Sequence, residues 1–182
     1  MAKSVMAVGL VYIYLMLKIL PWGLPGIDHP FTYHMDEWHD FKVISNLYKH
    51  LTPNIPEANG NGFVFYYLFA GLLLVPYMLL GVTSPFLIGS PVEALLTQER
   101  LFSVFRINAL LFGLFTIYFL TKFAREHLKT NGFVTVFFFT FTPIWLSLSN
   151  YVKYDIPSLF WVVVSLYLMM EYGKKEKKKR VG

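Results

Sequence analysis

The chain has 182 residues, of which 55% are hydrophobic, 19% aromatic and only 15% charged, which excludes an ordinary soluble domain and predicts a multi-pass membrane protein. Because cysteine is absent, disulfides, thiolate nucleophiles and cysteine-ligated metals are excluded. The net charge of +5 resides in residues 174–182, which carry six positive charges and one negative charge, so the remainder is neutral and nucleic-acid binding is disfavoured.

The first predicted element is an apolar span at residues 4–20. A secretory signal peptide starts in a similar way, but no small-residue cleavage site follows, so we expect a retained transmembrane helix. Lys18 near its end is expected to extend its amine to the membrane interface, where Trp22 also lies.

The first loop, residues 26–61, is polar and contains an acidic cluster at residues 33–41. This cluster combines three carboxylates with two imidazoles, in the side chains of His34, Asp36, Glu37, His39 and Asp40. Acidic side chains beside a bilayer are costly and are rarely found there without a partner or a task. The cluster is therefore predicted to be the functional site.

Residues 35–51 have apolar side chains at three- and four-residue steps, the pattern of a helix lying along the membrane interface. On such a helix Asp36, His39 and Asp40 share a face. Four of the five histidines lie in this loop, which invites a metal site, but no His-Glu-x-x-His pattern is present. Histidines hydrogen-bonded to neighbouring carboxylates are the favoured interpretation.

The apolar segment 62–82 leaves the topology open, because it is nearly long enough to span a membrane but contains proline and glycine. If it lies in the interface, Asp36 and the turn before Asp155 face the outside together, both termini are cytoplasmic, and four spans are expected at residues 4–20, 101–121, 133–148 and 156–172. If it crosses, there are five spans and the two acidic residues lie on opposite sides. The positive charges at the span ends fit both alternatives.

A short polar turn at residues 149–155 precedes the last span. Pro157 is tolerated in a first helical turn, so Asp155 is predicted to be the N-cap, where its carboxylate meets the positive end of the helix dipole. A role as helix cap is sufficient to explain an acidic residue at position 155. The alternative is that Asp155 binds substrate. The basic run after this span predicts a cytoplasmic C-terminus.

Three groups of residues stand out by their order along the chain. They are Asp36-Glu37 in the first loop, Arg100-Leu101-x-Ser103 at the start of a span that contains Gly113, and Ser149-x-Tyr151-x-Lys153-x-Asp155-x-Pro157-x-x-Phe160 before the last span. This ordered set resembles the GT-C class of integral-membrane glycosyltransferases, and within it the protein O-mannosyltransferase, aminoarabinose-transferase and Rgt-like branch. The resemblance implies an all-α membrane protein with about four transmembrane helices plus interfacial juxtamembrane helices in a long first outer loop, and so favours the interfacial placement of residues 62–82.

The resemblance also implies a sugar donor carried on polyprenyl or dolichyl phosphate, and inverting transfer to an extracytoplasmic acceptor glycan, lipid or protein. Asp36 matches the family's catalytic position and is expected to take the acceptor's proton as a general base, with Glu37 beside it. The leaving lipid phosphate needs a cation to neutralise its charge. The residues expected to bind substrate are Lys153, Arg100, Arg106, Asp155, His39 and Asp40.

Among these residues, Lys153, Arg100 and Arg106 are the candidates for the phosphate, and arginine can grip it with two hydrogen bonds. The competing interpretation is that both arginines merely extend to the interface. The resemblance gives Asp155 the task of placing the acceptor or a divalent metal, although no metal-ligand set is assigned. The expected partners are membrane lipid, the lipid-linked sugar and the acceptor.

Two departures from the family pattern affect these expectations. Residues 61–67 lack the Lys-Pro-Pro that many bacterial members carry there. The chain also has fewer spans than family enzymes, so residues 1–182 are expected to form a single membrane module, the N-terminal part of a GT-C transmembrane domain that needs its remaining part for activity.

The competing class is a non-catalytic multi-pass scaffold or a small lipid-binding or transport protein. Ion coupling is disfavoured because the later spans keep their charges near the ends. The expected location is the plasma membrane if the source is prokaryotic.

Overall fold

The computed structural model describes residues 2–24, 37, 91–149, 151 and 155–181. These residues form no strand and five α-helices, which are α1 (Ala2–Ile19), α2 (Pro91–Glu126), α3 (Gly132–Thr140), α4 (Pro143–Ser149) and α5 (Asp155–Val181). The predicted all-α membrane class is confirmed. Apart from Glu37, the predicted interfacial helix at 35–51 lies outside the described residues, as does the segment 62–82. The assignment of residues 1–182 to a single module stays a prediction.

Two helices are long and apolar enough to cross a membrane by themselves. Their apolar parts are Phe102–Glu126 in α2, with mean hydropathy 1.7, and Asp155–Glu176 in α5, with mean hydropathy 1.4. At ~1.5 Å rise per residue each exceeds the ~30 Å hydrocarbon core of a bilayer. They correspond to the predicted spans 101–121 and 156–172. The predicted span 4–20 corresponds to α1, whose apolar part Val5–Ile19 is shorter.

The predicted third span, 133–148, is not one straight helix but the pair α3 and α4, bent by 67°. The side chain of Asn131 caps the start of α3 by accepting a hydrogen bond from the Phe133 backbone N–H at 3.1 Å. The break falls immediately before Pro143, which has no N–H to continue the helix and disfavours a helical residue ahead of it. The pair can therefore serve as one broken span or as a re-entrant segment.

Helix α2 is the central element and packs against all four other helices. On α1 the buried side chains Val8, Tyr12 and Met16 recur every four residues and so share one face, which packs into the core formed with α2 and α3. The opposite face of α1 exposes large apolar side chains, among them Leu10 and Tyr14. A helix that is apolar on both faces suits a position between protein and lipid.

The helices α1 and α2 run antiparallel. Tyr12 packs at Gly113, whereas the Leu20 and Trp22 carbonyls, beyond the end of α1, contact Arg106, seven residues nearer the start of α2. The two predicted topologies differ in the placement of residues 62–82, which lie outside the described residues, so the choice between them stays a prediction.

The helices α2 and α5 run parallel. The rings of Phe112, in the second half of α2, and Phe160, near the start of α5, meet edge-on at 5.4 Å. Further along both helices the Tyr167 hydroxyl donates to the Glu126 carboxylate at 2.9 Å. The bundle thus has an end where α5 begins and α1 terminates, named here the Arg106 end. The opposite end, where α2 terminates, is named the Glu126 end.

The contact between α1 and α2 gives a test of the fold. A Cβ at position 113 would collide with the Tyr12 hydroxyl and lie 3.0 Å from its ring carbon Cζ. We expect Gly113→Ala to destabilise the protein by about 1–3 kcal/mol, because the Tyr12 ring is buried and cannot swing away. Tyr12→Phe in the Gly113→Ala background should recover part of the loss, since it removes the colliding oxygen.

The measurement is thermal unfolding of the protein in detergent micelles. Gly9→Ala is the matched control, because Gly9 also lies within a helix but a Cβ there meets nothing within 4 Å. Equal melting temperatures for Gly113→Ala and Gly9→Ala would contradict the packing described between α1 and α2.

Candidate functional site

A buried ion pair joins the first loop to α2 at the Arg106 end. The Arg106 guanidinium donates two parallel hydrogen bonds to the Glu37 carboxylate, from Nε to Oε1 at 2.9 Å and from Nη2 to Oε2 at 2.7 Å. Glu37 is fully buried and Arg106 is 2% exposed. This two-pronged geometry is the strong form of an arginine–carboxylate pair, and at this burial neither charge can be left without the other.

The same guanidinium closes the end of α1. Its Nη1 group donates to the Leu20 and Trp22 backbone carbonyls, both at 2.7 Å. Carbonyls at a helix C-terminus have no partner within the helix, and a cation there is favoured by the helix dipole. Gly23, at a positive φ of 68°, lets the chain turn away directly after these carbonyls. Arg106 therefore joins α1, α2 and Glu37.

Asp155 lies at the same end of the bundle as this ion pair. It is the first residue of α5, whereas the sequence predicted it to be the N-cap just before the helix, and its side chain is partly exposed. Phe160 contacts Phe112 and, further along α2, Phe119. Arg106 and Asp155 both precede these contacts along their parallel helices, so both lie toward the same end of the helix pair.

The other predicted site residues are placed only in part. Arg100 lies in α2 and is exposed. The remaining predicted residues lie outside the described residues: Asp36, His39, Asp40 and Lys153. The structure thus brings Glu37 and Arg106 into contact and sets Asp155 at the same end. The catalytic and substrate-binding roles assigned from the sequence stay predictions.

The sequence did not predict the pairing of Glu37 with Arg106. Glu37 was expected to act beside the catalytic Asp36, and Arg106 was expected to bind phosphate or to extend to the interface. The Arg106 side chain is buried between Glu37 and the end of α1. A signal was present: Arg106 follows the start of an apolar stretch at Phe102, where a cation requires an anion. The sequence does not indicate which of several acidic residues supplies it.

A group of metal-ligating side chains is found among the described residues at the opposite end of the bundle. It consists of Glu126, His127 and Glu171, whose ligand atoms lie within 4.8 Å of one another. Sequence reasoning overlooked His127 because it considered only the histidines of the first loop.

The ion pair predicts a strong energetic coupling. Arg106→Gln should cost about 3–5 kcal/mol, because it leaves the Glu37 carboxylate buried and unneutralised. The double variant Glu37→Leu/Arg106→Met should cost much less than the sum of the single substitutions, since it removes both charges together. Thermal unfolding of the four proteins measures the coupling, and Arg100→Gln, at an exposed arginine, serves as the control that should leave stability unchanged. Additive losses would show that the two side chains do not interact.

Comparison with known proteins agrees with this architecture. The family profile described as dolichyl-phosphate-mannose-protein mannosyltransferase matches residues 61–181, well over half of the chain. The match covers α2 to α5 and Asp155, and it leaves out Asp36 and Glu37. Neither the curated proteins nor the solved structures give a significant match.

Membership of this family implies a polyprenyl-phosphate sugar donor and a membrane lipid environment. Together with the apolar helices, it identifies an integral membrane protein. The chain belongs to the dolichyl-phosphate-mannose-protein mannosyltransferase family of GT-C membrane glycosyltransferases.

Proposed function

We propose that this chain takes part in transfer of a sugar from polyprenyl or dolichyl phosphate to an extracytoplasmic acceptor, with inversion at the anomeric carbon and with Asp36 as the general base. The observation that carries the proposal is the anchoring of Glu37, next to Asp36 in the chain, at the end of the bundle where α5 begins with Asp155. The family match supplies the reaction class.

The ion pair supports different roles for the adjacent acids Asp36 and Glu37. Consecutive Cα atoms are ~3.8 Å apart, so anchoring Glu37 holds Asp36 close to the same end of the bundle. Adjacent side chains do not face the same way on a helix or on a strand. Because the Glu37 side chain points inward to Arg106, we infer that the Asp36 side chain points in a different direction. Glu37 is then a positioning residue and Asp36 the residue that meets the acceptor.

The proposed step moves one proton and exchanges one bond. The acceptor hydroxyl or amine attacks the anomeric carbon from the face opposite the phosphate, and Asp36 takes the acceptor's proton as the new bond forms. The bond between the anomeric carbon and the phosphate oxygen breaks, and the lipid phosphate leaves with the electron pair. Since phosphate is already a good leaving group when its charge is neutralised, no protonated acid is required.

The contacts of Arg106 bear on which cation serves the phosphate. A guanidinium has five N–H donors, and four hydrogen bonds from Arg106 go to Glu37 and to the end of α1. We therefore assign the phosphate first to Lys153 and Arg100, with Arg106 in support. Asp155, His39 and Asp40 are proposed to place the acceptor, and a divalent metal at Asp155 is compatible with the scheme.

The orientation in the membrane is proposed from charge. Lys122, Arg125, Lys129 and the basic run 174–182 all belong to the Glu126 end or extend from it, and positive loops are retained in the cytoplasm. The Arg106 end then faces the extracytoplasmic side, where acceptors of this reaction class are glycosylated.

The catalytic proposal predicts that Asp36→Asn lowers transfer at least about 100-fold, the usual contribution of a general base, with little change in melting temperature. Glu37→Gln should lower both transfer and melting temperature, because it also breaks the ion pair. The readout is sugar transfer in membranes containing the native reading frame that includes this chain. Asp28→Asn, in the same loop, is the matched control, and undiminished transfer by Asp36→Asn would refute the assignment.

The orientation is checked by cysteine labelling, which the cysteine-free sequence makes unambiguous. Trp22→Cys at the Arg106 end and Leu128→Cys at the Glu126 end both replace exposed side chains. A membrane-impermeant maleimide should label only Trp22→Cys in intact cells, and should label Leu128→Cys after permeabilisation. The reverse pattern would place the candidate active site in the cytoplasm and contradict the proposal.

A further inference from the structure

The Glu126 end contains a cluster of side chains that the proposed function does not use. Glu126 is the last residue of α2, His127 follows it, and Glu171 lies in α5. One ligand atom from each lies within 4.8 Å of the others. The cluster therefore bridges the two helices that are long enough to span the membrane.

The imidazole of His127 is the unusual member of the cluster. Its side chain is fully buried, its Nδ1 has no hydrogen-bond partner, and its Nε2 lies 3.3 Å from Glu171 Oε1 without the geometry of a hydrogen bond. The rings of Phe123 and Tyr167 pack against it, each with its centre 5.5 Å away. Buried imidazoles are normally hydrogen-bonded, so a ring that is held in place with its nitrogens unsatisfied indicates a missing partner.

The two carboxylates are oriented by neighbours. The Tyr167 hydroxyl donates to Glu126 Oε2 at 2.9 Å. Lys174 Nζ donates to the Glu126 backbone carbonyl at 2.9 Å and to Glu171 Oε1 at 3.3 Å. Such contacts resemble the outer layer that holds metal-binding side chains in position. Lys174, which is about half exposed, is also a cation that competes for the same carboxylate.

We propose that Glu126, His127 and Glu171 bind one divalent transition-metal ion, best matched by zinc, with water completing the coordination. A neutral imidazole nitrogen with carboxylate oxygens is a donor set that suits zinc. Two atoms bound at ~2.0–2.1 Å to a tetrahedral ion lie about 3.3–3.4 Å apart, the separation already present between His127 Nε2 and Glu171 Oε1. The negative end of the α2 dipole further favours a cation there.

Binding of this ion stabilises the pairing of α2 with α5. Its ligands come from both helices, at the end opposite the candidate active site, so the ion holds α2 and α5 together there. The inference does not rest on the proposed catalytic function and holds whichever sugar or acceptor the protein uses.

The test uses the whole protein in detergent micelles, stripped with EDTA and titrated with zinc chloride. We expect one ion bound per chain by calorimetry and by elemental analysis, together with a rise in melting temperature followed by tryptophan fluorescence. Cobalt(II) in place of zinc should give the visible absorption of a tetrahedral or five-coordinate site. Absence of zinc binding would overturn the proposal.

Three substitutions identify the ligands. His127→Gln should weaken zinc binding at least about 100-fold. Glu171→Gln removes a ligand at a partly exposed side chain and should weaken binding at least tenfold without preventing folding. Lys174→Met should tighten binding at least about threefold, because it removes the competing cation. A histidine–glutamate pair without a metal predicts none of these changes.

Three first-loop histidines without an assigned role in substrate binding supply the matched control, because histidine is a common zinc ligand. The variant with His29, His34 and His50 all replaced by Gln should keep the site, with zinc affinity within about twofold of the parent. Loss of binding in that variant, or wild-type affinity in Glu171→Gln, would show that the ion binds elsewhere.

Discussion

The contact between Glu37 and Arg106 is the interaction on which the described structure depends. The guanidinium holds a carboxylate of the first loop with two hydrogen bonds and the end of α1 with two more, while its own backbone belongs to α2. Because both side chains are almost completely buried, breaking the pair would leave a charge without solvent or partner. Three segments distant in sequence are therefore fixed by one side chain.

This constraint explains why an acidic pair can lie beside a membrane. A carboxylate at that depth is costly unless it is neutralised, and Arg106 neutralises Glu37 within a geometry that also fixes the direction of the side chain. In the proposed mechanism the anchoring of Glu37 also restrains Asp36, its neighbour in the chain, and a general base benefits from such restraint.

The parallel packing of α2 and α5 gives the bundle two chemically different ends. At one end lie the ion pair and Asp155, and at the other lie basic residues together with Glu126, His127 and Glu171. Aromatic contacts connect the ends, with Phe119 touching both Phe160 and Tyr167. The candidate active site and the cation cluster are thus built on the same pair of helices.

Much of the architecture followed from the sequence, because hydrophobic length and charge placement are local properties. Composition predicted a multi-pass membrane protein, and apolar runs predicted the two helices that can span a membrane, with starts within one residue of the observed apolar parts. The all-α class was implied by the resemblance to the GT-C family. The ordered motifs indicated the GT-C family, which the profile match over residues 61–181 confirms. The bend before Pro143 was within reach of the sequence as well, since proline lacks the N–H that a continuous helix needs.

The sequence by itself determined the fold class, the helix-forming segments and the chemical types available for a site. Only the tertiary structure decided the directions of the helices and the partner of each charge. Arg106 and Glu37 are 69 residues apart, and no periodicity of either segment selects one acidic residue over another. His127 and Glu171 meet for a similar reason, because their proximity arises from the register of two packed helices, and that register is set by side-chain interlocking over their whole length.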